Sequence, residues 1–202
     1  MGKTIDYYFG PQSPWTYLGH ERLGRIAKAT GARINILPAD LGRIFPVSGG
    51  LPLAKRAPQR QAYRLVELRR FADHLGMPLN LHPTYFPVAG DAAARLIIAV
   101  DRADGADAAM AFAGQVMSGV WVGQRNIADA QTLAAMLAEA GLPERRLENA
   151  QGADVQERYD ANTQAAIDSG IFGAPTYVVD GEMFWGQDRL DFVERALAPS
   201  VA

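Results

Sequence analysis

The sequence YFGPQSPWTYLGHERLGRI, residues 8–26, is highly informative about the fold because it leads from a strand through a tight turn into a helix. Residues 3–9, which end inside this stretch, alternate and are rich in aromatic side chains, and this pattern predicts a buried strand. Ser13 precedes Pro14, an order typical of a helix start, since the hydroxyl accepts from a free backbone N–H and proline fits the first helical position. We expect the helix to run from about residue 14 to 29.

A second strand is predicted in RINILPADL, residues 33–41, where Ile34, Ile36 and Leu41 are apolar. Gly31, between the helix and this strand, is a candidate helix C-cap. Strand, helix and strand in this order predict a βαβ unit, whose two strands lie parallel.

The segment that follows, residues 42–59, has a different composition. Its sequence, GRIFPVSGGLPLAKRAPQ, contains three prolines and three glycines, and we predict a long loop. Loops of this length are uncommon in compact domains and are often functional.

Helical spacing of apolar residues dominates the middle of the chain, and the end returns to β structure. Helices are predicted over residues 59–75, 91–103, 107–121, 129–142 and 154–169. The sequence PTYVVDGEMFW predicts a hairpin with strands 176–179 and 182–185, because Asp-Gly between apolar runs is a strong turn signal. A last helix is expected over about 188–197.

This order of elements predicts an α/β fold of the thioredoxin-like type, with a βαβ–ββα core and an inserted all-helical domain. We expect a discontinuous thioredoxin-like domain in residues 1–40 plus 152–202, and a helical insertion domain in residues 41–151. A chain of 202 residues is long enough to bury such a core without metal ions or disulfides.

The composition argues against several classes of function. The net charge is −2, from 20 basic and 22 acidic residues, which argues against general binding of nucleic acids or anionic membranes. No signal peptide or membrane-spanning run is recognisable, so we expect a cytoplasmic protein. The chain has no cysteine, and its histidines, His20, His74 and His82, lack the spacing of a metal site. We therefore expect no disulfide, no redox thiol of the protein and no metal centre.

Ser13 stands where thioredoxin-like folds carry a reactive cysteine, and the stretch from Ser13 to Thr16 has the length of a Cys-x-x-Cys motif. The plain interpretation is a helix cap, as in many ordinary helices. A second interpretation is that the hydroxyl and the helix N-terminus stabilise the thiolate of a diffusible thiol. The obvious thiol of this kind in a cytoplasm is glutathione.

A third interpretation makes Ser13 itself a nucleophile, which requires a base within hydrogen-bond reach. His20 lies on the same helix, roughly 10 Å away at 1.5 Å per residue, and projects from a different part of its surface. The sequence therefore disfavours a serine hydrolase.

Two further motifs bear on binding. In GIFGAPTYVV, Pro175 is either an ordinary turn or the cis-proline that thioredoxin-like folds place opposite the reactive helix start. The backbone of Ala174 would then be free to pair with an extended peptide such as glutathione. In WGQDRLDF, Asp188 is either the N-cap of the last helix or a partner for the α-amino group of a γ-glutamyl moiety, with Gln187 beside it.

Three motifs in one order, FGPQSPWTYLG, GIFGAPTYVVDG and FWGQDRLDF, resemble the 2-hydroxychromene-2-carboxylate isomerases. That family belongs with the kappa-class glutathione transferases and has the DsbA-like thioredoxin fold with a helical insertion. The resemblance spans nearly the whole chain, and VWVGQRNIADAQTLAAMLAEAGL carries it through the helical part. It implies a glutathione-dependent isomerase of aromatic compound degradation, which interconverts a cyclic hemiketal carboxylate and an open-chain hydroxybenzylidenepyruvate. It also implies a homodimer and a glutathione cofactor that is not consumed.

The resemblance implies roles for single residues as well. Ser13 matches the catalytic serine that hydrogen-bonds the glutathione sulfur, and Ala174, before Pro175, matches the residue that pairs with the cysteinyl backbone. The remaining glutathione-binding residues are expected to be Trp185, Gly186, Gln187, Asp188 and Arg189. A pocket for the small aromatic carboxylate substrate is expected near Leu51, Pro52 and Tyr85.

The chain departs from this family where the second substrate is expected. Many relatives carry an asparagine in the segment that here contains Gly49, Gly50 and Leu51, and several carry another where Ala89 stands. The glutathione part of the interpretation is unaffected, whereas the identity of the second substrate stays open.

Two other functions also stay open. One is a kappa-class-like glutathione transferase or peroxidase, which would consume glutathione. The other is a non-catalytic thioredoxin-like module that binds peptides. All three fit a chain without cysteine, which by itself argues against a dithiol oxidoreductase.

Residues 55–70 carry a local excess of positive charge, in Lys55, Arg56, Arg60, Arg64, Arg69 and Arg70. Most of this excess is interpreted as a solvated helix face, with Arg64 paired to Glu67 three residues later. One or two of these cations could still reach a substrate carboxylate. Tyr85, Phe86 and Trp121 are predicted to lie near a hydrophobic substrate pocket.

Overall fold

The computed structural model describes residues 2–198 and contains four strands and nine helices within that range. The first part of the chain forms β1 (Thr4–Phe9), α1 (Pro14–Thr30), β2 (Arg33–Pro38), α2 (Leu41–Ser48) and α3 (Pro58–Leu75). The middle forms α4 (Asp91–Asp104), α5 (Ala106–Trp121), α6 (Ala130–Glu139), α7 (Arg146–Asn149) and α8 (Ala153–Asp168). The last part forms β3 (Thr176–Val179), β4 (Glu182–Trp185) and α9 (Leu190–Leu197). Short 3₁₀ turns lie at Leu53–Lys55 and Gln187–Arg189.

The sheet confirms the predicted βαβ unit and the predicted hairpin. Its strand order is β2-β1-β3-β4, with β1 parallel to β2 and antiparallel to β3. The strands β3 and β4 pair antiparallel through the Asp180-Gly181 turn, where both residues have positive φ angles. The sheet is therefore mixed, and α1 crosses over it between the two parallel strands.

The helix α1 begins and ends where the sequence predicts. Ser13 is its N-cap, Pro14 is its first residue and Gly31 closes it in the left-handed conformation, with φ 68°. Leu18, Leu23 and Ile26 lie on its buried face, with exposed fractions of 1%, 0% and 5%. This face belongs to the same buried cluster as Ile5 and Tyr7 of β1, which relates the helix start to the strands.

The predicted loop over residues 42–59 is wrong in its first half. Leu41, expected in the second strand, begins α2, and the carboxylate of Asp40 caps the helix by accepting from Gly42 N at 2.7 Å. Pro46 lies inside α2 although proline removes a helical hydrogen bond. Ile44 compensates because its side chain is 1% exposed and packs with Tyr8, Leu37, Ala39, Ala166 and Ile171.

Smaller differences occur near the end of the chain. The short helix α7 was not predicted, and the last helix is preceded by a 3₁₀ turn instead of starting at residue 188. In α7, Arg146 binds both carboxylate oxygens of Asp104 at 2.7 Å, which ties this turn to the end of α4.

Buried side chains from β1, α1, α3 to α6, α8, β3 and α9 form one large hydrophobic cluster. It contains residues of both predicted domains, and the division into residues 1–40 plus 152–202 and 41–151 stays a prediction. Among residues 2–198, no helix has the length and apolar character that crossing a membrane requires.

Candidate functional site

The start of α1 and the Ala174-Pro175 peptide emerge at the same edge of the sheet. The antiparallel register of β1 and β3 ends with Tyr8 opposite Thr176. The chain after Tyr8 turns through Gly10 into Ser13, whose backbone N–H donates to Gly10 O at 3.0 Å. The chain before Thr176 is Ala174-Pro175. The two motifs singled out in the sequence are therefore neighbours in the fold.

Ser13 lies at the head of α1 and is 8% exposed. Its Oγ accepts from the backbone N–H of Thr16 at 3.3 Å, which satisfies one of the free N–H groups of the first turn. Its own hydroxyl proton has no acceptor among residues 2–198. Ser13 therefore caps the helix and still has a proton to donate.

His20 is unable to act as a base for Ser13. Its Nε2 lies 2.8 Å from Met110 O, a pure acceptor, so Nε2 carries a proton and Nδ1 accepts from the Tyr7 hydroxyl at 3.1 Å. Burial lowers the pKa of His20, although the bond to Met110 opposes the shift. The ring is thus a neutral core residue that links β1, α1 and α5.

The Ala174-Pro175 peptide bond is cis. Ala174 forms no hydrogen bond within residues 2–198, so its backbone remains available to a ligand. Both neighbours of Ala174 are held in place: Pro175 O accepts from Gly186 N at 2.9 Å, and Gly173 O accepts from the Thr176 hydroxyl at 2.8 Å. The arrangement is a hydrogen-bonded frame around one peptide edge that is free within residues 2–198.

Trp185 lies against this frame. Its indole is 52% exposed and meets Phe172 edge to face, with ring centroids 4.7 Å apart. A Cβ atom at Gly173 would lie 2.5 Å from Trp185 Nε1, so the glycine is what permits the indole to approach the backbone before Ala174. Trp185 therefore presents an aromatic surface beside the free peptide edge.

The segment after Trp185 carries one buried and two charged side chains. Gln187 is 3% exposed and contacts Gly19 of α1, and its Nε2 has no partner among the described residues. Asp188 is exposed and forms an ion pair with Arg189 at 2.6 Å. Its interpretation as an N-cap is wrong, because no side chain caps α9 and the intervening 3₁₀ turn moves the helix start to Leu190.

The residues expected around a second substrate are less closely connected. Leu51 and Tyr85 are 49% and 45% exposed, and Pro52 is exposed as well. No hydrogen bond within residues 2–198 joins Leu51 or Pro52 to Tyr85. Phe86 stacks at an angle on Trp121, with centroids 4.8 Å apart, but Trp121 is 0% exposed and so belongs to the core beneath Phe86.

The basic segment contains one residue whose position the sequence did not predict. The expected pair of Arg64 and Glu67 does not form, because Glu67 pairs with Arg70 at 3.2 Å. Arg64 instead turns inward, with Cζ 5.3 Å from the ring centroid of Phe86. Helical spacing alone cannot distinguish the two arrangements, since Glu67 has a cation three residues away on either side.

Comparisons with known proteins agree with this architecture. Residues 4–198 match the family model of the DSBA-like thioredoxin domain. The chain is 32% identical to 2-hydroxychromene-2-carboxylate isomerase of Pseudomonas putida, over 96% of this chain and 93% of the relative. It is 23% identical to glutathione S-transferase kappa 1 of Homo sapiens, over 98% of this chain and 92% of the relative.

A comparison with solved structures agrees with these sequence similarities. A structure of 2-hydroxychromene-2-carboxylate isomerase superposes with a TM-score of 0.77 at 30% identity, covering 96% of this chain and 94% of that one. The comparisons confirm the predicted DsbA-like thioredoxin fold. The chain belongs to the family of the DSBA-like thioredoxin domain and, within it, to the 2-hydroxychromene-2-carboxylate isomerases.

Proposed function

We propose that this protein is a glutathione-dependent isomerase of the 2-hydroxychromene-2-carboxylate type. It would interconvert a cyclic hemiketal carboxylate and an open-chain hydroxybenzylidenepyruvate in aromatic compound degradation. The observation that carries the proposal is the uncommitted hydroxyl proton of Ser13 at the start of α1, in a chain that has no cysteine. A thiol in this place has to come from a ligand.

Three places among the described residues support the binding of glutathione. Ser13 offers a hydroxyl donor at a helix N-terminus, Ala174 offers a free backbone edge for an extended peptide, and Asp188 with Arg189 offers a carboxylate and a guanidinium for the zwitterionic end. When bound, glutathione would supply a thiolate that adds reversibly to the conjugated system of the substrate. Trp185, Gly186 and Gln187 would form the wall between the last two places.

The part played by the protein is mainly electrostatic. The free N–H groups at the start of α1 and the Ser13 hydroxyl both favour a negative charge on a neighbouring sulfur. An ordinary thiol has a pKa of about 8.5 and is mostly protonated at neutral pH, so these groups would raise the reactive fraction. Donation from Ser13 needs no base, which agrees with a His20 ring already committed to Tyr7 and Met110.

The substrate would be a small aromatic carboxylate bound near Leu51, Pro52 and Tyr85. The named relatives support this class, since the isomerase of Pseudomonas putida is similar over nearly the whole chain. A cytoplasmic location and a homodimer complete the proposal.

A titration with glutathione tests the proposal. We expect glutathione to bind and to raise the free energy of unfolding by about 2.7 kcal/mol at 100 times its Kd. S-Methylglutathione is the matched control ligand, because it keeps the peptide backbone of glutathione and lacks the ionisable thiol. Absence of both heat and stabilisation at millimolar glutathione would contradict the proposal and favour the peptide-binding module.

A kappa-class-like transferase is the second candidate, favoured by the similarity to glutathione S-transferase kappa 1. The two activities differ in their thiol balance. An isomerase returns glutathione after each turnover, so the concentration of free thiol stays constant while the substrate is converted. Loss of one thiol for each substrate converted would identify the transferase.

A further inference from the structure

Arg64 is a half-buried cation that has no anionic partner within residues 2–198. Its Cζ lies 5.3 Å from the ring centroid of Phe86 and 5.9 Å from that of Trp121. Within residues 2–198 it forms neither an ion pair nor a hydrogen bond, and Glu67, the acidic residue one turn away, is bound to Arg70. A cation withdrawn from water is unfavourable unless something compensates it, and here two aromatic rings supply part of that compensation while no anion among the described residues does.

The electrostatics of the surroundings agree with the geometry. Burial, followed by the charge of Arg56, lowers the pKa of Arg64 to about 10, so the group is still charged at neutral pH. The indole Nε1–H of Trp121, whose ring lies beneath the guanidinium, is buried and has no acceptor among the described residues. This spot therefore contains donors that have no hydrogen-bond partner among the described residues.

Two packing contacts connect the helix that carries Arg64 and the segment that carries Phe86 to the head of α1. Phe71 of α3 meets Trp15 of α1 edge to face, with centroids 5.9 Å apart. Arg64 lies two turns before Phe71 on the same helix face, roughly 10 Å along the axis at 1.5 Å per residue.

The chain after Phe86 provides the second connection. The side chain of Gln12, next to Ser13, packs against Gly90. Gly90 follows Phe86 by four residues, and a chain of that length spans at most about 14 Å. Arg64, through Phe71, and Phe86, through Gly90, are thus each connected to the head of α1.

We propose that Arg64 binds the carboxylate of the aromatic acid that serves as the second substrate, with the ring of Phe86 as an apolar surface beside it. The guanidinium presents a planar fork that matches a carboxylate in two parallel hydrogen bonds. The exposed part of the half-buried Phe86 ring offers an apolar contact for the aromatic part of the same molecule. The identity of the ligand as a substrate rests on the proposed function, whereas the binding of an aromatic carboxylate does not.

Binding of cinnamate and of its neutral amide, cinnamamide, tests the proposal in the full-length protein without glutathione. The readout is the indole N–H resonance of Trp121, assigned by its loss in Trp121→Phe. We expect the wild type to prefer cinnamate by about tenfold or more, since hydrogen bonds to a charged group are stronger than neutral ones. Arg64→Gln should abolish this preference, and Arg64→Lys should keep part of it because the charge remains without the fork.

Arg69→Gln is the matched control, since Arg69 is exposed on the same helix and should bind both probes as the wild type does. An unchanged cinnamate preference in Arg64→Gln overturns the proposal, and so does a wild type that does not distinguish the probes. If Arg64→Gln does not fold, Arg64→Lys replaces it in the test. A cinnamate affinity and a preference over cinnamamide equal to those of the wild type in Arg64→Lys then overturn the proposal.

The same variants separate this proposal from the proposed function. If Arg64→Gln still isomerises the substrate with an unchanged KM for the aromatic acid, the proposed role of Arg64 is contradicted. The proposed isomerase function is then unaffected. If the wild type does not bind glutathione but shows a cinnamate preference that depends on Arg64, the proposed isomerase function is contradicted. The proposed carboxylate site is then unaffected.

Discussion

At the scale of single residues, Ser13 joins two roles that use different parts of one hydroxyl group. The oxygen accepts from Thr16 N and so caps α1, while the proton has no acceptor within residues 2–198 and can be donated to a ligand. The cap was predictable from the Ser-Pro order, because that chemistry is local. The free proton was not, since it depends on which acceptors the rest of the fold brings near.

Ser13→Ala should separate these roles. We expect loss of the cap to lower the free energy of unfolding by about 1 kcal/mol. Loss of the donor should raise the pKa of the bound glutathione thiol by about one unit and reduce turnover, with little change in glutathione affinity. Ultraviolet titration of the thiolate in the complex measures the pKa.

Asp129→Ala is the matched control for this variant. Asp129 caps α6 by accepting from Thr132 N at 2.7 Å, far along the chain from Ser13. It should cost similar stability and leave the thiol pKa unchanged. An identical thiol pKa in Ser13→Ala and in the wild type would remove Ser13 from the catalytic machinery.

His20 predicts a pH dependence of stability. Because its pKa is lowered in the folded protein, the unfolded chain binds the additional proton more readily, and the free energy of unfolding falls as the pH drops below about 6.5. His20→Gln should flatten this dependence between pH 7.5 and 5.5 in urea denaturation. His82→Gln, at an exposed position, should keep the wild-type slope, and equal slopes in both variants would contradict the assignment.

At the scale of elements, α1 approaches the hairpin and the following 3₁₀ turn through Gly19. A Cβ atom at this position would lie 2.8 Å from Gln187 Cβ and 2.8 Å from the Tyr177 hydroxyl. The glycine thus determines how closely the helix that begins at Ser13 packs on the segment that contains Asp188.

Gly19→Ala should therefore destabilise the protein by about 1–3 kcal/mol, as overpacking does in well-packed interiors. Gly24→Ala in the same helix is the control, because no atom lies within 4 Å of a Cβ there. It should stabilise by about 0.5–1 kcal/mol through its better helix propensity. Urea denaturation measures both, and a stabilised Gly19→Ala would show that the close approach is not rigid.

The elements themselves differed in how well the sequence predicted them. The boundaries of α1, β3 and β4 follow from local signals, namely a cap, a proline and an Asp-Gly turn. The helix α2 was missed because Pro46 and the glycines around it argue against a helix locally. Its stability comes from Ile44 and the remote residues Ala166 and Ile171, which no local pattern reveals.

For the complete fold, the thioredoxin-like fold class and the family could be predicted, because three separated motifs occur in one order along the chain. Arg64 could not, because its inward orientation depends on Phe86 and Trp121, which follow α3 in the chain. The large hydrophobic cluster joins the two predicted domains across their proposed boundary.

We expect residues of both predicted domains to unfold in one cooperative transition, since they share one core. Two variants with a single tryptophan test this: one keeps only Trp121 in the helical part, and the other keeps only Trp185 in the thioredoxin-like part. Their fluorescence transitions in urea should each coincide with the far-ultraviolet circular dichroism of the same variant. Within a variant, a fluorescence midpoint displaced from the circular dichroism midpoint would show that the two parts unfold separately.

The two edge strands of the sheet, β2 and β4, are poorly suited to pairing with a strand of a second chain. On one side β2 ends at Pro38, which has no N–H, and Asn162 of α8 donates to Pro38 O at 3.2 Å. On the other side β4 is four residues long, starts with Glu182 and is followed by Gly186, whose φ of 107° turns the chain away. Edge strands that are short, charged or covered leave few backbone N–H and C=O groups free for pairing. The architecture itself therefore disfavours aggregation through strand pairing at high protein concentration.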